Sequence, residues 1–167
     1  MTLRFSDYLW GRHPPLWRQA LLYAPIALLP AAGLSIVIAG LLSGFGADVA
    51  SLTQPQAERS ALSLFGSIFL TPVVETLLLA WILELLLAAS DHRLFVATTS
   101  ALIWGGLHGL RGPLAFAGPA WGFFVFSCAY LAWREVSFRH GFAAASIPHM
   151  VSNACTFGIG VLTGSIT

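Results

Sequence analysis

Apolar residues run through this chain in five long stretches that are separated by short polar connectors. A bilayer core about 30 Å thick needs about 20 apolar residues in helical form, and backbone polar groups in lipid must be hydrogen-bonded within the segment. No stretch shows the period of two that is typical of a membrane β-strand. The pattern therefore predicts an all-α, polytopic transmembrane bundle of about five helices. The stretches are 17–44, 61–89, 94–110, 113–133 and 141–164.

The residues before the first apolar stretch mix aromatic with basic side chains. Both kinds of side chain favour the interface between lipid and water. We therefore expect residues 1–16 to form an interfacial collar, which makes a sixth helix if it is helical, and residues 17–167 to form a single transmembrane domain. The apolar run that follows is too long for the core of a cleavable signal peptide. The aromatic and basic residues of this segment are Arg4, Phe5, Tyr8, Trp10 and Arg12, and Trp17 and Arg18 follow at the start of the apolar stretch.

Composition supports the same class of protein. The chain is 57% hydrophobic and 9% charged, whereas a soluble domain carries about 25% charged residues. The formal net charge of +1 gives no argument for nucleic acid as a partner, so the expected surroundings are the lipid bilayer. Cys128 and Cys155 lie in apolar runs without metal or redox spacing, and we expect both to be small buried hydrophobes.

The basic residues predict the orientation, because they are enriched in cytoplasmic connectors. All of them are Arg, and Lys is absent; with the many Ala, Gly and Leu residues this is typical of a GC-rich bacterial genome, so we expect a bacterial inner membrane. If the N-terminus is cytoplasmic, only two arginines, Arg59 and Arg111, lie on the opposite side of the membrane. The remaining arginines, on the inside, are Arg4, Arg12, Arg18, Arg93, Arg134 and Arg139.

A few polar side chains interrupt the apolar stretches: Glu75, Glu84, His108, His149 and Asn153. An ionisable group at membrane depth is costly and is a functional hypothesis by default. At about 1.5 Å per residue, Glu75 and His108 lie about 21 Å from the cytoplasmic face, Asn153 about 18 Å and His149 about 12 Å. Four polar groups from three helices thus share one layer of the membrane.

Glu84 differs from this group. It lies nine residues after Glu75, so the two side chains point to opposite sides of the helix. It is also close to the helix end, where a long side chain reaches the interface. We expect a structural role for Glu84.

Local sequence around the deep polar residues indicates a cavity. His149 and Asn153 are four residues apart and share a helix face. Pro148 and Pro72 loosen the helices just before His149 and Glu75, which is tolerated at depth where backbone lines a polar cavity. Each polar residue alone could serve only helix packing, but together they provide the acid, base and donors that hydrolysis requires. A stripe of small residues on the third helix permits close approach of another helix: Ala97, Ala101, Gly105 and Gly109.

Three short motifs occur in order along the apolar stretches. They are Pro72-x-x-Glu75, Trp104-x-x-x-His108 and His149-x-x-x-Asn153. In these residues the chain resembles the CAAX protease and bacteriocin-processing family of intramembrane endopeptidases, over about Phe69 to Phe157. The family's first motif has a second Glu directly after the first and an Arg four residues later; here these positions are Thr76 and Ala80. The two losses together are consistent with a divergent member, since keeping one would leave an unpaired buried charge.

The resemblance implies a glutamic-type peptidase without a cofactor. Glu75 would deprotonate a water that His108 helps to hold, and His149 with Asn153 would stabilise the oxyanion. The alternative is a zinc peptidase with Glu75, His108 and His149 as metal ligands. With Thr76 in place of the second Glu, no separate base would remain, which favours the metal-free form.

Two other classes of function stay open at this point. One is a catalytically silent membrane binding or immunity-type homologue, which the lost Glu and Arg would explain. The other is a small proton-relaying transporter, for which an internal inverted repeat would be expected; the sequence shows none. For a peptidase, the partner would be a membrane-anchored peptide or protein tail of unspecified sequence.

Overall fold

Helices are the regular elements of the chain, which a computed structural model describes over residues 5–49, 51–52 and 61–162. No strand occurs in that part, so the all-α fold class is confirmed. The elements are α1 (Phe5–Trp10), α2 (Leu16–Gly44), α3 (Ala61–Phe65), a π-helical turn (Gly66–Leu70), α4 (Thr71–Ala89), α5 (Arg93–Gly109), a 3₁₀ turn (Pro113–Ala115), α6 (Ala117–Trp133) and α7 (Phe138–Leu162).

Three of the predicted stretches are long and apolar enough to cross a membrane, and they indicate a membrane location. These are Leu16–Gly44, Leu62–Ala89 and Pro113–Trp133, with mean hydropathies of 2.2, 1.9 and 1.5. The other two stretches are also helical but do not qualify by length and composition alone. Helix α5 has only 17 residues. Helix α7 has 25 residues, but polar side chains on it lower its hydropathy.

Helix α6 is at the centre of the bundle, and most of its residues are buried. Helices α2, α5 and α7 each pack along it, and α4 packs against α5 and α7. The predicted stripe of small residues on α5 faces α6: a Cβ added at Gly105 would lie 2.7 Å from the Cβ of Ala120. Only glycine fits at that point. The close approach predicted for this stripe is therefore present.

The predicted N-terminal collar contains one short helix, α1, which is docked onto the end of the bundle. Its Leu9 is buried. The side-chain amide of Gln19, at the start of α2, donates to the Gly11 carbonyl over 2.8 Å and to the Tyr23 hydroxyl over 3.0 Å. Its carbonyl oxygen accepts a 2.9 Å bond from the Trp133 indole. Arg4 lies outside the described residues.

Ion pairs join distant connectors at this same end of the bundle. Glu135 pairs with Arg93 and lies 3.7 Å from Arg12. Arg134 binds Glu84 through two hydrogen bonds of 2.7 and 2.6 Å. The N-terminal segment, the α4–α5 connector and the α6–α7 connector therefore meet at one end.

Two further sequence expectations concern the cysteines and the long loop. Cys128 is buried as expected, but Cys155 is exposed. The expectation of two buried cysteines is wrong for Cys155, because its position on α7 faces away from the neighbouring helices. Most of the predicted loop between α2 and α3, including Arg59, lies outside the described residues.

Candidate active site

A cavity of about 560 Å³ lies between the helices at the depth of the polar residues. Its volume is in the range of about 300–1,000 Å³ that is usual for ligand pockets. Its wall is formed by α2, the π turn, α4, α6 and α7, together with the end of α5. The structure brings all the sequence-predicted site residues to this wall: Glu75, His108, His149 and Asn153.

The carboxylate of Glu75 lies between the two histidines. Its Oε2 is 3.4 Å from Nε2 of His149, and its Oε1 is 3.9 Å from Nε2 of His108. The second distance is too long for a direct hydrogen bond, but one water beside both atoms can join them. Each carboxylate oxygen thus faces a different imidazole.

A backbone contact fixes which nitrogen of His108 carries the proton. Nδ1 of His108 lies 2.9 Å from the carbonyl oxygen of Trp104. A carbonyl oxygen only accepts, so Nδ1 must be the donor, and in a neutral ring Nε2 is then an acceptor. The spacing of four residues in the second motif is what allows this contact within one helix. The Trp104 ring in turn stacks on Phe123 with centroids 4.3 Å apart.

His149 is held more tightly than His108. It is only 4% exposed, and its ring stacks on Phe126 at 4.7 Å and meets Phe123 edge-on at 5.2 Å. Its Nδ1 lies 3.5 Å from the hydroxyl oxygen of Thr76. Thr76, which stands where the family motif has its second Glu, is therefore in contact with a site residue.

Asn153 has a structural bond that its predicted role did not include. Its side-chain Nδ2 donates to the Ser67 carbonyl over 2.9 Å. In the π turn the Thr71 N–H bonds to the Gly66 carbonyl, and the residue five after Ser67 is Pro72, which has no N–H. Asn153 therefore satisfies a carbonyl that the helix itself leaves free. One of its two amide hydrogens stays available.

The two prolines have different effects on their helices. Pro72 is the second residue of α4, just after the π turn. By contrast, α7 continues as a helix through Pro148. The expected loosening of the helix is thus seen before Glu75, whereas no break in helical structure accompanies His149.

Ser152 and Arg111 are among the polar residues of the cavity wall that sequence reasoning missed. The hydroxyl of Ser152 is buried and has no hydrogen-bond partner among the described residues. Its spacing from His149, three residues along a helix, places it on the same face, which was the available signal. Arg111 was assigned to a connector, and it lies where α5 ends at the cavity.

Glu84 and Ala80 lie away from the cavity wall. Glu84 accepts a 2.9 Å bond from the Tyr130 hydroxyl in addition to its two bonds from Arg134. Ala80, where the family motif has an Arg, is 1% exposed and packs in the core. The expected structural role of Glu84 agrees with this ion pair.

The zinc alternative needs Glu75, His108 and His149 as three ligands of one ion. Within residues 5–49, 51–52 and 61–162, no group of three His, Cys, Asp or Glu side chains is arranged to hold a metal. No catalytic step is therefore assigned to zinc.

No protein-family model, curated protein or solved structure matches this chain. What can be inferred about function comes from the three short motifs and from the cavity that their residues share.

Proposed function

We propose that this protein is a glutamic-type intramembrane endopeptidase. The observation that carries the proposal is the position of Glu75, with one carboxylate oxygen facing each histidine in a cavity between apolar helices. A carboxylate and two imidazoles within 4 Å form an acid–base set that helix packing does not require. The resemblance to the CAAX protease and bacteriocin-processing family supports the same reaction.

The first step is attack by water on the substrate carbonyl. The water lies beside Glu75 and donates one hydrogen to the bare Nε2 of His108, which orients it. Glu75 takes the other proton as the new carbon–oxygen bond forms. The tautomer that Trp104 imposes on His108 supports this role, because the ring can then only accept from the water.

The second step stabilises the oxyanion and releases the amine. Donors at the cavity wall are the Nε2–H of His149, the Ser152 hydroxyl and the second amide hydrogen of Asn153. One such donor typically contributes about 10²–10³ in rate. Protonated Glu75 then gives its proton to the leaving nitrogen as the carbon–nitrogen bond breaks, which yields a carboxylic acid and an amine and restores the Glu75 carboxylate.

The location of the cavity supports a substrate that is held by the membrane. Helices long and apolar enough to cross a membrane form much of its wall, so a peptide held by the bilayer reaches it more readily than a dissolved one. We infer a membrane-anchored peptide or protein tail as substrate. The basic residues favour a bacterial inner membrane with a cytoplasmic N-terminus, and no cofactor takes part in the reaction.

Co-expression with membrane-anchored candidate substrates tests the proposal. Wild type is expected to release a shorter product that Glu75→Gln does not. The matched control is Glu84→Gln, which changes a carboxylate on the same helix that is outside the cavity, and it should retain cleavage. Equal cleavage by wild type and Glu75→Gln would overturn the proposal.

A second arm of the same experiment separates the two peptidase mechanisms. Purified wild type is incubated with a strong zinc chelator before substrate is added. Cleavage should persist, because Glu75 and the histidines act without metal. Loss of cleavage that added zinc restores would assign these residues to a metal site instead.

A further inference from the structure

The hydroxyl of Thr76 and the ring of His149 form the one polar contact between α4 and α7 that lies behind the site, among the described residues. We propose that Thr76 is a positioning residue: its hydroxyl donates to Nδ1 of His149 and holds the ring with a protonated Nε2 facing Glu75. The effect on rate rests on the proposed peptidase function. The bond itself does not depend on that function.

The direction of this hydrogen bond follows from the other side of the ring. Nε2 of His149 lies 3.4 Å from a carboxylate oxygen of Glu75, and an ionised carboxylate only accepts. Nε2 therefore carries the proton, and in a neutral ring Nδ1 is the acceptor. Among the described residues, the hydroxyl of Thr76 is the polar group that Nδ1 meets. A hydroxyl can rotate to donate.

The contact between Thr76 and His149 differs in kind from the contact that holds His108. A carbonyl at Nδ1 forces His108 to present a bare Nε2 to the carboxylate. A hydroxyl at Nδ1 allows His149 to present a protonated one. Two identical side chains on either side of Glu75 thereby become an acceptor for water and a donor for an oxyanion.

Burial makes the threonine hydroxyl hard to replace. Thr76 is 0% exposed, so bulk water cannot supply the lost donor. It also follows Glu75 directly on α4, so one helix fixes both the carboxylate and the support of the imidazole. Its β-branched side chain has few rotamers, which keeps the hydroxyl in place.

The test uses Thr76→Val, which keeps the side-chain shape but has no hydroxyl, and Thr76→Ser, which keeps the hydroxyl. Nitrogen NMR of histidine-labelled protein in detergent reports whether each ring nitrogen is protonated and hydrogen-bonded. Wild type and Thr76→Ser should show His149 with protonated Nε2 and hydrogen-bonded Nδ1. In Thr76→Val the Nδ1 signal should shift to that of a free acceptor.

Turnover gives the second readout. Thr76→Val should lower kcat by up to about 100-fold, since misplacement of a site group by about 1 Å can cost that much, with KM little changed. Thr76→Ser should restore most of it. The control is Thr98→Val, the same change at an exposed position of α5, which should leave kcat and the histidine signals unchanged.

The outcomes distinguish this inference from the proposed function. A wild-type spectrum with the proton on Nδ1, or a Thr76→Val protein with unaltered histidine signals and kcat, overturns the positioning role. If the expected spectra are found but wild type cleaves nothing, the positioning stands and the peptidase proposal fails. If Thr76→Val does not fold, the wild-type spectrum alone decides which nitrogen is protonated.

Discussion

The Ser152 hydroxyl is a buried donor on the cavity wall without a partner among the described residues. A buried polar group left unsatisfied costs about 1–3 kcal/mol. Because Ser152 lines the cavity, rotation of its side chain can bring the hydroxyl to a bound substrate carbonyl. Under the proposed peptidase function, Ser152 would bind the reacting group rather than hold the fold.

Replacing Ser152 by Ala should therefore slow cleavage without weakening the protein. Loss of one oxyanion donor predicts a fall in kcat of about 10²–10³, while thermal unfolding in detergent should be unchanged, since no protein hydrogen bond is lost. Ser127→Ala is the control, because Ser127 bonds to Ser100 and Phe123 within the core. It should lower stability and keep kcat. A Ser152→Ala enzyme with wild-type turnover would exclude Ser152 from the reaction.

The sequence made some of these residues easy to find and others not. Glu75, His108 and His149 stand out because ionisable groups are rare at membrane depth. Small hydroxyl residues such as Ser152 and Thr76 are common in membrane helices, where they serve helix packing. Their type alone does not indicate function, and only the fold shows which of them meet the cavity or an imidazole.

At the scale of elements, the π turn and α7 depend on each other. The turn leaves the Ser67 carbonyl without a helical partner, and Asn153 provides one. The π-helix is a rare form that is frequent at functional sites. Here it is hydrogen-bonded to α7, the helix that carries His149.

A double-mutant cycle between Asn153 and Pro72 tests this dependence. Asn153→Ala should lower the free energy of unfolding in detergent by about 1–3 kcal/mol, since it leaves a buried carbonyl unsatisfied. Pro72→Ala restores an N–H at the position that can reach Ser67. The same Asn153→Ala change should therefore cost less in the Pro72→Ala background. Additive effects would show that the two positions are not coupled. The control is Thr156→Ala, which removes only a hydrogen bond within α7.

Element boundaries were largely predictable, whereas the form of one element was not. Hydrophobic runs predicted α2 and α5 to within one residue of their observed ends. The π turn left no signal in the hydrophobic pattern, because it is still a helix and its widened turn is supported by Asn153 from a distant segment. For α7 the apolar run predicted a start three residues late, since Phe138, Arg139 and His140 extend the helix beyond the apolar core.

At the scale of the whole molecule, charged connectors gather at one end of the bundle. Glu135 joins Arg12 to Arg93, and Glu84 joins α4 to Arg134. These side chains are partly exposed, so each pair adds little stability. They do show which connectors lie at the same end of the bundle. Connectors at the same end are expected on the same side of the membrane.

Reporter fusions test the proposed orientation. Fusions after Ala89 and Arg139 should both read cytoplasmic, because basic connectors are retained on that side. A fusion after Gly112, at the opposite end of α5, should read as exported. If Ala89 and Arg139 reported opposite sides, the orientation would be wrong, and so would the assignment of both connectors to one face.

The π turn between α3 and α4 also predicts where the protein tolerates the loss of a residue. A π turn takes up one residue more than an ordinary helical turn, so it accommodates one residue beyond what a regular helix needs. Deleting one residue from Gly66–Leu70 would let the segment relax into a plain α-helix, with α3 and α4 near their present places. The same deletion inside α4 would turn everything before it by about 100°. Length variation among natural variants should therefore concentrate in those five codons.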